Sequence, residues 1–414
     1  MLKSKKPLVL TCLAATFSGL GMSTTAMAGD SFIEALKGGK VSFVSRARYE
    51  SVRQDNDLKN AHANTLRTAL GYRTGQFHGF SGFVEFENVT RLGANRYNST
   101  TNNNTDYSVV ADPTGTEVNQ AYFAYQNFDT TFRLGRQDIT YRQAPMHRFI
   151  GNVLWRQNHQ TFDALSIQNT SLADTRLSYA YIDKVHTIFG RDRDFGIIKN
   201  GKIDLHAHLF NVQYNGLSFG QLEGYAYLLD YRDAKETSSK TLGGRFAGSQ
   251  PLNEQFSLVY TAEYASQDDY RSGTMSRQNY WLAELGGRYM GWTLKASYEV
   301  QQGNGTDSFK TPLGTNHAYQ GWADQFLTTP PQGLKDRYLT LAGPIMGAQF
   351  VASWHDYKTD KDSLDAGHEL NLMLQKTFNQ HYTLGVKYAD YRADSEFPSL
   401  VDTKKLWIYG QVSF

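Results

Sequence analysis

Short segments in which apolar and polar residues alternate recur through most of the chain, and they constrain its fold more than any other feature. Between Trp292 and Val300, for example, every second residue is apolar and the residues between them are polar or charged. A period of two places the two sets on opposite faces of a strand. Strands of this kind, separated by turn residues, are typical of a transmembrane β-barrel, whose apolar face meets lipid and whose polar face lines the lumen.

Eighteen such segments predict an all-β protein, a transmembrane antiparallel β-barrel of about eighteen strands with short periplasmic turns and long external loops. The predicted strands are 40–51, 64–74, 80–90, 116–126, 130–141, 161–169, 174–185, 205–214, 218–231, 238–248, 255–266, 278–289, 291–302, 335–342, 345–357, 367–378, 381–392 and 403–414. The pattern is weakest in 161–169, 205–214 and 335–342, and without one hairpin the barrel would have sixteen strands. Either number is large enough to leave an aqueous channel.

The first 28 residues have the composition of a secretory signal peptide. Lysines lie at its start, an apolar run follows, and Ala26-Met27-Ala28 provides a cleavage site. We therefore expect residues 1–28 to be removed near Ala28, and residues 29–414 to form a single barrel domain in the outer membrane of a Gram-negative bacterium. The only cysteine, Cys12, lies in the segment that would be removed. The terminal Phe414 fits a C-terminal signal for the barrel-assembly machinery.

Strand parity assigns more basic than acidic residues to the predicted lumen. The basic residues are Arg46, Arg48, Arg67, Arg73, Arg133, Arg176, Arg245, Arg288, Lys295 and Lys387, and the acidic residues are Glu50, Glu85, Glu87, Glu263, Glu284, Glu299 and Glu369. Basic side chains in a pore favour anions, which indicates a track for solutes that carry carboxylates. The alternative is that these charges neutralise each other across the lumen. The formal net charge of only +2 indicates no nucleic-acid partner.

Two of the long connectors are too apolar for solvated tails. The segment 142–160 contains Arg148 and Arg156, aromatic residues and no acid, and we expect it to fold inward as a constriction. The alternative is an external flap packed on neighbouring loops. The segment 303–334 is similar and could form a lid, whereas the Asn- and Thr-rich segment 91–115 is expected to be exposed or mobile.

Several of these segments resemble the outer-membrane alginate export family. The matching stretches are NSTTNNNTDYSVVADPTGTEVNQAYFAY (98–125), LGRQ (134–137), FIGNVLWRQNHQTFDAL (149–165) and TPLGTNHAYQGWADQF (311–326). The resemblance implies a monomeric eighteen-stranded barrel with an Arg-lined, loop-narrowed pore for an anionic polysaccharide. The positions that match the motifs are Arg136, Arg156, Asn158, Asp163, His317, Trp322 and Asp324.

These features together predict an outer-membrane, porin-like channel that passes hydrophilic, anionic solutes, either small molecules or an acidic polysaccharide. We expect outer-membrane lipid around the barrel, no cofactor, no metal and no enzymatic activity. Two alternatives remain open, a barrel hydrolase and an adhesin that does not conduct. His206 and His208 share a strand face, and we interpret them as isolated lumen histidines rather than as a metal pair.

Overall fold

The computed structural model describes residues 31–145 and 147–414, so the predicted signal peptide, 1–28, lies outside the described residues. The described residues form a closed antiparallel barrel of eighteen strands, in which each strand pairs with its neighbours in sequence and β1 also pairs with β18. The strands are β1 Lys40–Gln54, β2 Ala61–Arg73, β3 Phe80–Arg91, β4 Gly115–Asn127, β5 Thr130–Gln137, β6 Thr161–Asn169, β7 Thr175–His186, β8 Lys202–Leu217, β9 Gly220–Tyr231, β10 Ser239–Pro251, β11 Phe256–Asp269, β12 Gln278–Tyr289, β13 Trp292–Gln301, β14 Leu334–Ile345, β15 Ala348–Lys358, β16 Asp365–Phe378, β17 Tyr382–Arg392 and β18 Thr403–Ser413. A short helix, α1, Phe32–Lys37, precedes β1.

The predicted fold class and strand number are confirmed, and most strand boundaries agree to within about three residues. Two boundaries were wrong. The strand predicted as 130–141 ends at Gln137, and the turn predicted at Gly343-Pro344 lies instead at Met346-Gly347. Met346 and Gly347 both have positive φ angles, 51° and 76°, which a tight turn requires and alternation cannot reveal.

Short turns and long loops lie at opposite ends of the barrel, which we call the turn end and the loop end. The short turns connect each even-numbered strand to the next odd-numbered one, as in the two residues between β12 and β13. The longest loops are 92–114, 138–160, 187–201 and 302–333. Both ends of the sheet-forming chain, the start of β1 and the end of β18, lie at the turn end.

The outer wall is apolar. Aliphatic residues such as Leu285, Leu294 and Leu339 point outward and remain more than half exposed, at 59%, 56% and 53%. Exposed aromatic residues lie toward both ends of the wall, and they include Phe80, Tyr264, Trp281, Tyr289, Tyr298, Trp354, Phe378 and Tyr382. This arrangement, an aliphatic band between aromatic girdles, is the surface that a lipid-embedded barrel presents. Among the helices that the structure describes, none has the length and hydropathy to cross a membrane.

Placing a charge on this wall should hinder assembly. Leu294→Arg would put a guanidinium against lipid close to the turn end of β13, where the cost is smaller than the ~2–4 kcal/mol of the bilayer midplane. We expect a lower yield of folded barrel, measured by the mobility shift between unheated and heated samples on gels. Lys295→Arg, which places a guanidinium on the lumen face of the same strand, is the control and should fold. Normal folding of Leu294→Arg would contradict the assignment of this face to lipid.

Candidate functional site

The loop between β5 and β6, residues 138–160, crosses the lumen, and we call it the first inward loop. At one side of the barrel its Arg142 binds Glu223 of β9 and Glu263 of β11, at 2.8 and 2.6 Å. At the other side its Arg156 binds Glu50 of β1 at 2.6 Å. Because β1 and β9 lie on nearly opposite sides of an eighteen-stranded ring, the loop spans the interior rather than covering it from outside.

The arginines of this loop are anchors that are buried in ion pairs. Arg148 binds Glu299 at 2.8 Å, and both side chains are only 1% exposed. Arg156 is 3% exposed and lies between Glu50 and Asp112. Burial disfavours the charge on Arg148, but Glu299 outweighs it and raises the pKa of that guanidinium. The positive charges of Arg148 and Arg156 are therefore neutralised by carboxylates instead of facing a solute.

Basic residues of the wall bind the backbone of the same loop. Arg46 of β1 donates to the Gln157 side-chain oxygen and the Leu154 carbonyl, both at 2.9 Å, and also to the Arg156 carbonyl. Arg48 donates to the Trp155 carbonyl and forms an ion pair with Asp112. Because these guanidinium groups are occupied by the loop, they hold it against β1.

Three further predicted lumen residues also have partners inside the protein. Arg67 of β2 donates to Glu87 of β3 through its Nε at 2.6 Å. Asn158 donates to the Pro113 carbonyl at 2.9 Å. Arg245 of β10 lies 3.8 Å from Glu263, which also binds Arg142. At the level of the first inward loop, Arg67 and Arg245 are therefore paired with carboxylates.

The loop between β13 and β14, residues 302–333, also enters the lumen, and we call it the second inward loop. It pairs with the first through a parallel bridge between Ile150 and Leu313. The Ala323 amide donates to Glu369 of β16 at 2.8 Å. Gly321 has a φ of 81°, and a Cβ there would lie 2.3 Å from the Glu369 carboxylate and the Tyr357 hydroxyl. Only glycine allows this close approach to the wall.

His317 connects the second inward loop to the wall. Its Nδ1 donates to Asp324 at 2.6 Å, and its Nε2 accepts from Lys387 of β17 at 2.5 Å. Asp324 in turn binds Lys405 of β18 at 2.6 Å. Burial and the Lys387 ammonium lower the pKa of His317 to about 3. Burial acts to raise the pKa of Asp324, but Lys405 and His317 outweigh it and lower that pKa.

Aromatic rings join the two inward loops at the same place. Trp155 of the first loop stacks on His317 of the second, with ring centroids 3.6 Å apart and planes 11° apart. The Arg156 guanidinium lies over the Trp155 ring, 3.9 Å from its centroid, and the Lys387 ammonium lies over the Trp322 ring at 3.8 Å. The structure therefore brings Arg156, His317, Trp322 and Asp324 together, as a junction between the loops and the wall.

Docking of the inward loops should weaken in acid. A histidine released to water has a pKa of about 6.5, whereas docked His317 has a pKa of about 3. Because the released state binds more protons between these values, docking is at full strength above pH ~6.5 and weakens as the pH falls toward ~3. His147 of the first inward loop, whose burial lowers its pKa to about 4, acts in the same direction.

We therefore expect faster proteolysis of residues 302–333 at about pH 4.5 than at about pH 7.5. His317→Asn keeps an N–H donor for Asp324 but does not titrate, so it should reduce the acid effect to the part that the other titratable groups of the inward loops, such as His147 and His159, contribute. An equal acid effect in wild type and His317→Asn would contradict the role of His317.

Away from the inward loops, toward the turn end, the lumen is basic. The turn-end zone consists of the five residues of each strand that lie nearest the turn end. Across all eighteen strands, its only acidic residue is Glu223. Its carboxylate is occupied by Arg142 and Asn211. The basic residues on the lumen face of this zone are Lys40, Arg73, Arg133, Arg176, Arg288 and Lys295.

Four of these, Arg73, Arg133, Arg176 and Arg288, have no carboxylate within 4.0 Å in the part of the chain that the structure describes. We call them the turn-end arginines. Arg73 lies over the Phe83 ring at 4.6 Å, and Arg133 lies 5.4 Å from the Tyr122 ring. Aromatic contacts orient these two guanidinium groups without neutralising their charge.

Arg136 and Asp163 lie outside the lumen, which corrects their assignment to the pore. They pair with each other across β5 and β6 at 2.9 Å, on the same face as the exposed Leu134. His206 and His208 also face outward, where they bind the Tyr181 and Tyr179 hydroxyls. Motif matching carries no information about which face of a strand a residue occupies. For the histidines, the alternation of β8 was misleading, because its apolar residues are buried up to Leu209 and lie on the outward, histidine-bearing face from Phe210 onward.

Two residues of the site were missed. Asp112 lies in the loop 92–114, which we expected to be exposed or mobile, yet it is fully buried against Arg48 and Arg156. No local pattern distinguishes it from other loop acids. Glu223 lies on the lumen face of a predicted strand, so alternation alone could have identified it. Within residues 31–145 and 147–414, no cluster of three His, Cys, Asp or Glu side chains is placed to hold a metal ion.

No family model and no curated protein matches this sequence. Solved structures do resemble it. OccAB4 of Acinetobacter baumannii is 13% identical, with a TM-score of 0.70 over 91% of this chain and 98% of that chain. OpdK of Pseudomonas aeruginosa, solved with vanillate, is 11% identical, with a TM-score of 0.72 over 92% and 99%. OccD3 (OpdP) of Pseudomonas aeruginosa is 14% identical, with a TM-score of 0.68 over 92% of each chain.

The chain has the fold of outer-membrane porins. The similar structures are Occ and Opd barrels, so the resemblance to the alginate export family was wrong. The short motifs that carried that resemblance lie in the loop 92–114 and β4, in β5, in the first inward loop and the start of β6, and in the second inward loop. Loops of this kind fill the lumen of a barrel, and the residues that fill a lumen do not identify the solute that passes through it.

Proposed function

We propose that this protein is a passive channel of the outer membrane for small hydrophilic solutes that carry negative charge. The observation that carries the proposal is the charge distribution at the turn end. The four turn-end arginines lack carboxylate partners among the described residues, and the only acidic residue in that zone is already bound. Such a zone attracts anions and repels cations without trapping either.

The inward loops support the restriction to small solutes. They cross the lumen from β1 to β11 and from β11 to β18, and they are tied to the wall by Arg142, Arg148, Arg156 and Asp324. Because each of these ties is a buried ion pair, the narrowing belongs to the folded barrel and needs no ligand to form. One barrel encloses a complete lumen, so we expect a monomer to be sufficient for transport.

The direct test is the conductance of the purified, refolded protein in planar bilayers with a gradient of potassium chloride. The proposal expects stepwise channels whose reversal potential shows preference for chloride over potassium. Replacement of chloride by glutamate should leave a measurable anion current. An absence of channels, or a preference for potassium, would overturn the proposal. An absence of channels would also return attention to the adhesin or hydrolase alternatives.

A further inference from the structure

The short helix α1 packs against the turn end of the barrel. Ser31 begins the helix, since its hydroxyl accepts a hydrogen bond from the Glu34 amide at 3.1 Å. Ala35 is buried, and its carbonyl accepts a hydrogen bond from the Gly75 amide at 2.8 Å. Gly75 lies in the turn between β2 and β3, so the helix is fixed to the rim of the barrel.

The helix lies on the outside of that rim and not across the mouth of the lumen. Tyr72 of β2 donates its hydroxyl proton to the Leu36 carbonyl. Tyr72 faces outward, because it is two residues from the exposed Leu70 and next to Arg73, which faces the lumen. At the start of α1, Phe32 packs edge-on against Phe77 of the same turn, with ring centroids 6.0 Å apart.

One side of α1 is an exposed apolar surface. Phe32, Ile33 and Leu36 are 58%, 56% and 37% exposed. At 3.6 residues per turn, they form one arc with the buried Ala35, whereas Glu34 and Lys37 lie on the opposite arc. The apolar arc is continuous with the outer wall, where Val41 and Leu70 are 67% and 50% exposed.

We propose that α1 is a lipid anchor, with Phe32, Ile33 and Leu36 inserted into the leaflet at the turn end of the barrel. A short amphipathic helix of this kind lies in the plane of the interface, with its apolar face among the acyl chains and its charged face among the headgroups. The partner is phospholipid, because the exposed arc continues the lipid-facing wall. The inference rests on the membrane placement that the proposed function assumes.

Spin labels at single cysteines provide the test. In a Cys12→Ser background the chain has no other cysteine, so Phe32→Cys and Glu34→Cys can be labelled separately and the barrel reconstituted in phosphatidylethanolamine–phosphatidylglycerol vesicles. Lipid favours collisions of the label with oxygen, and water favours collisions with a polar nickel complex. We expect an oxygen-dominated label at position 32 and a nickel-dominated label at position 34.

Two reference sites separate failure of this proposal from failure of the membrane placement. Leu285→Cys lies on the lipid-facing wall, and Arg277→Cys lies in an exposed position at the loop end. If the label at 285 reports lipid while the label at 32 matches that at 277, α1 is in water and the anchor is refuted. If the label at 285 itself reports water, the membrane placement has failed, and the anchor fails with it.

Discussion

Replacing the four turn-end arginines together by glutamine is expected to lower the preference for anions over cations about tenfold. An ion about 10 Å from a unit charge in water gains or loses about 0.4 kcal/mol, so four charges contribute about 1.6 kcal/mol before screening. Salt at about 0.1 M screens the charges and reduces this energy. The energies of an anion and a cation have opposite signs, however, so their difference, which sets the selectivity ratio, is twice the energy of either ion. The measurement is the reversal potential of the quadruple variant in a salt gradient.

The control removes two positive charges from exposed positions at the loop end. Arg191 and Arg277 lie in loops at the loop end, with side chains 73% and 69% exposed, and their replacement by glutamine should leave the reversal potential close to wild type. The single variants Arg73→Gln and Arg288→Gln should each produce a part of the full shift. A quadruple variant with wild-type selectivity would refute the turn-end zone as the source of anion preference.

Arg148→Ala is expected to destabilise docking of the first inward loop by about 3–5 kcal/mol, because Glu299 would remain buried without a positively charged partner. We expect the same for Arg156→Ala, which would leave Glu50 and Asp112 facing only Arg48. The observable results are a lower unfolding temperature, faster proteolysis within 138–160 and larger, noisier channels. From the sequence alone these two changes would be expected to shift selectivity toward cations, whereas their buried ion pairs predict a change in size and stability.

A double variant tests whether the cost comes from the unpaired carboxylate. Arg148→Met combined with Glu299→Gln removes both charges, so most of the stability lost in Arg148→Ala should return. Arg277→Ala removes one partner of an exposed pair with Asp268; it is the control and should leave stability close to wild type. If Arg148→Ala retained wild-type proteolysis and conductance, Arg148 would not be an anchor.

The fold could be predicted from the sequence because one physical rule acts along the whole chain. Every strand between lipid and lumen must alternate, so residues as far apart as Leu294 and Ile408 carry the same signal. Turn positions were less predictable, since by composition Gly343-Pro344 is a stronger turn signal than Met346-Gly347, where the chain turns. The choice between them depends on backbone angles and on the register with β15.

The roles of the basic residues were harder to predict. Alternation along a strand shows which face a side chain lies on, but not which group it contacts. Arg48 and Arg133 both face the lumen, yet Arg48 is bound to the first inward loop and Arg133 is free of carboxylates in the described structure. The difference arises from a loop more than a hundred residues away from Arg48 along the chain. Contacts of this kind are long-range and leave no periodic trace in the sequence.

The pairing of β1 with β18 has a consequence for how this protein is made. Val44 bonds with the strand that contains Ser413, so the last seam of the ring joins the two ends of the sheet-forming chain. Until β18 is synthesised and delivered, β1 and β17 are exposed edges that can pair with other molecules. Closure therefore comes late and brings together segments of very large sequence separation, which makes it slow. A carrier that shields open strand edges during export would protect the chain over that interval.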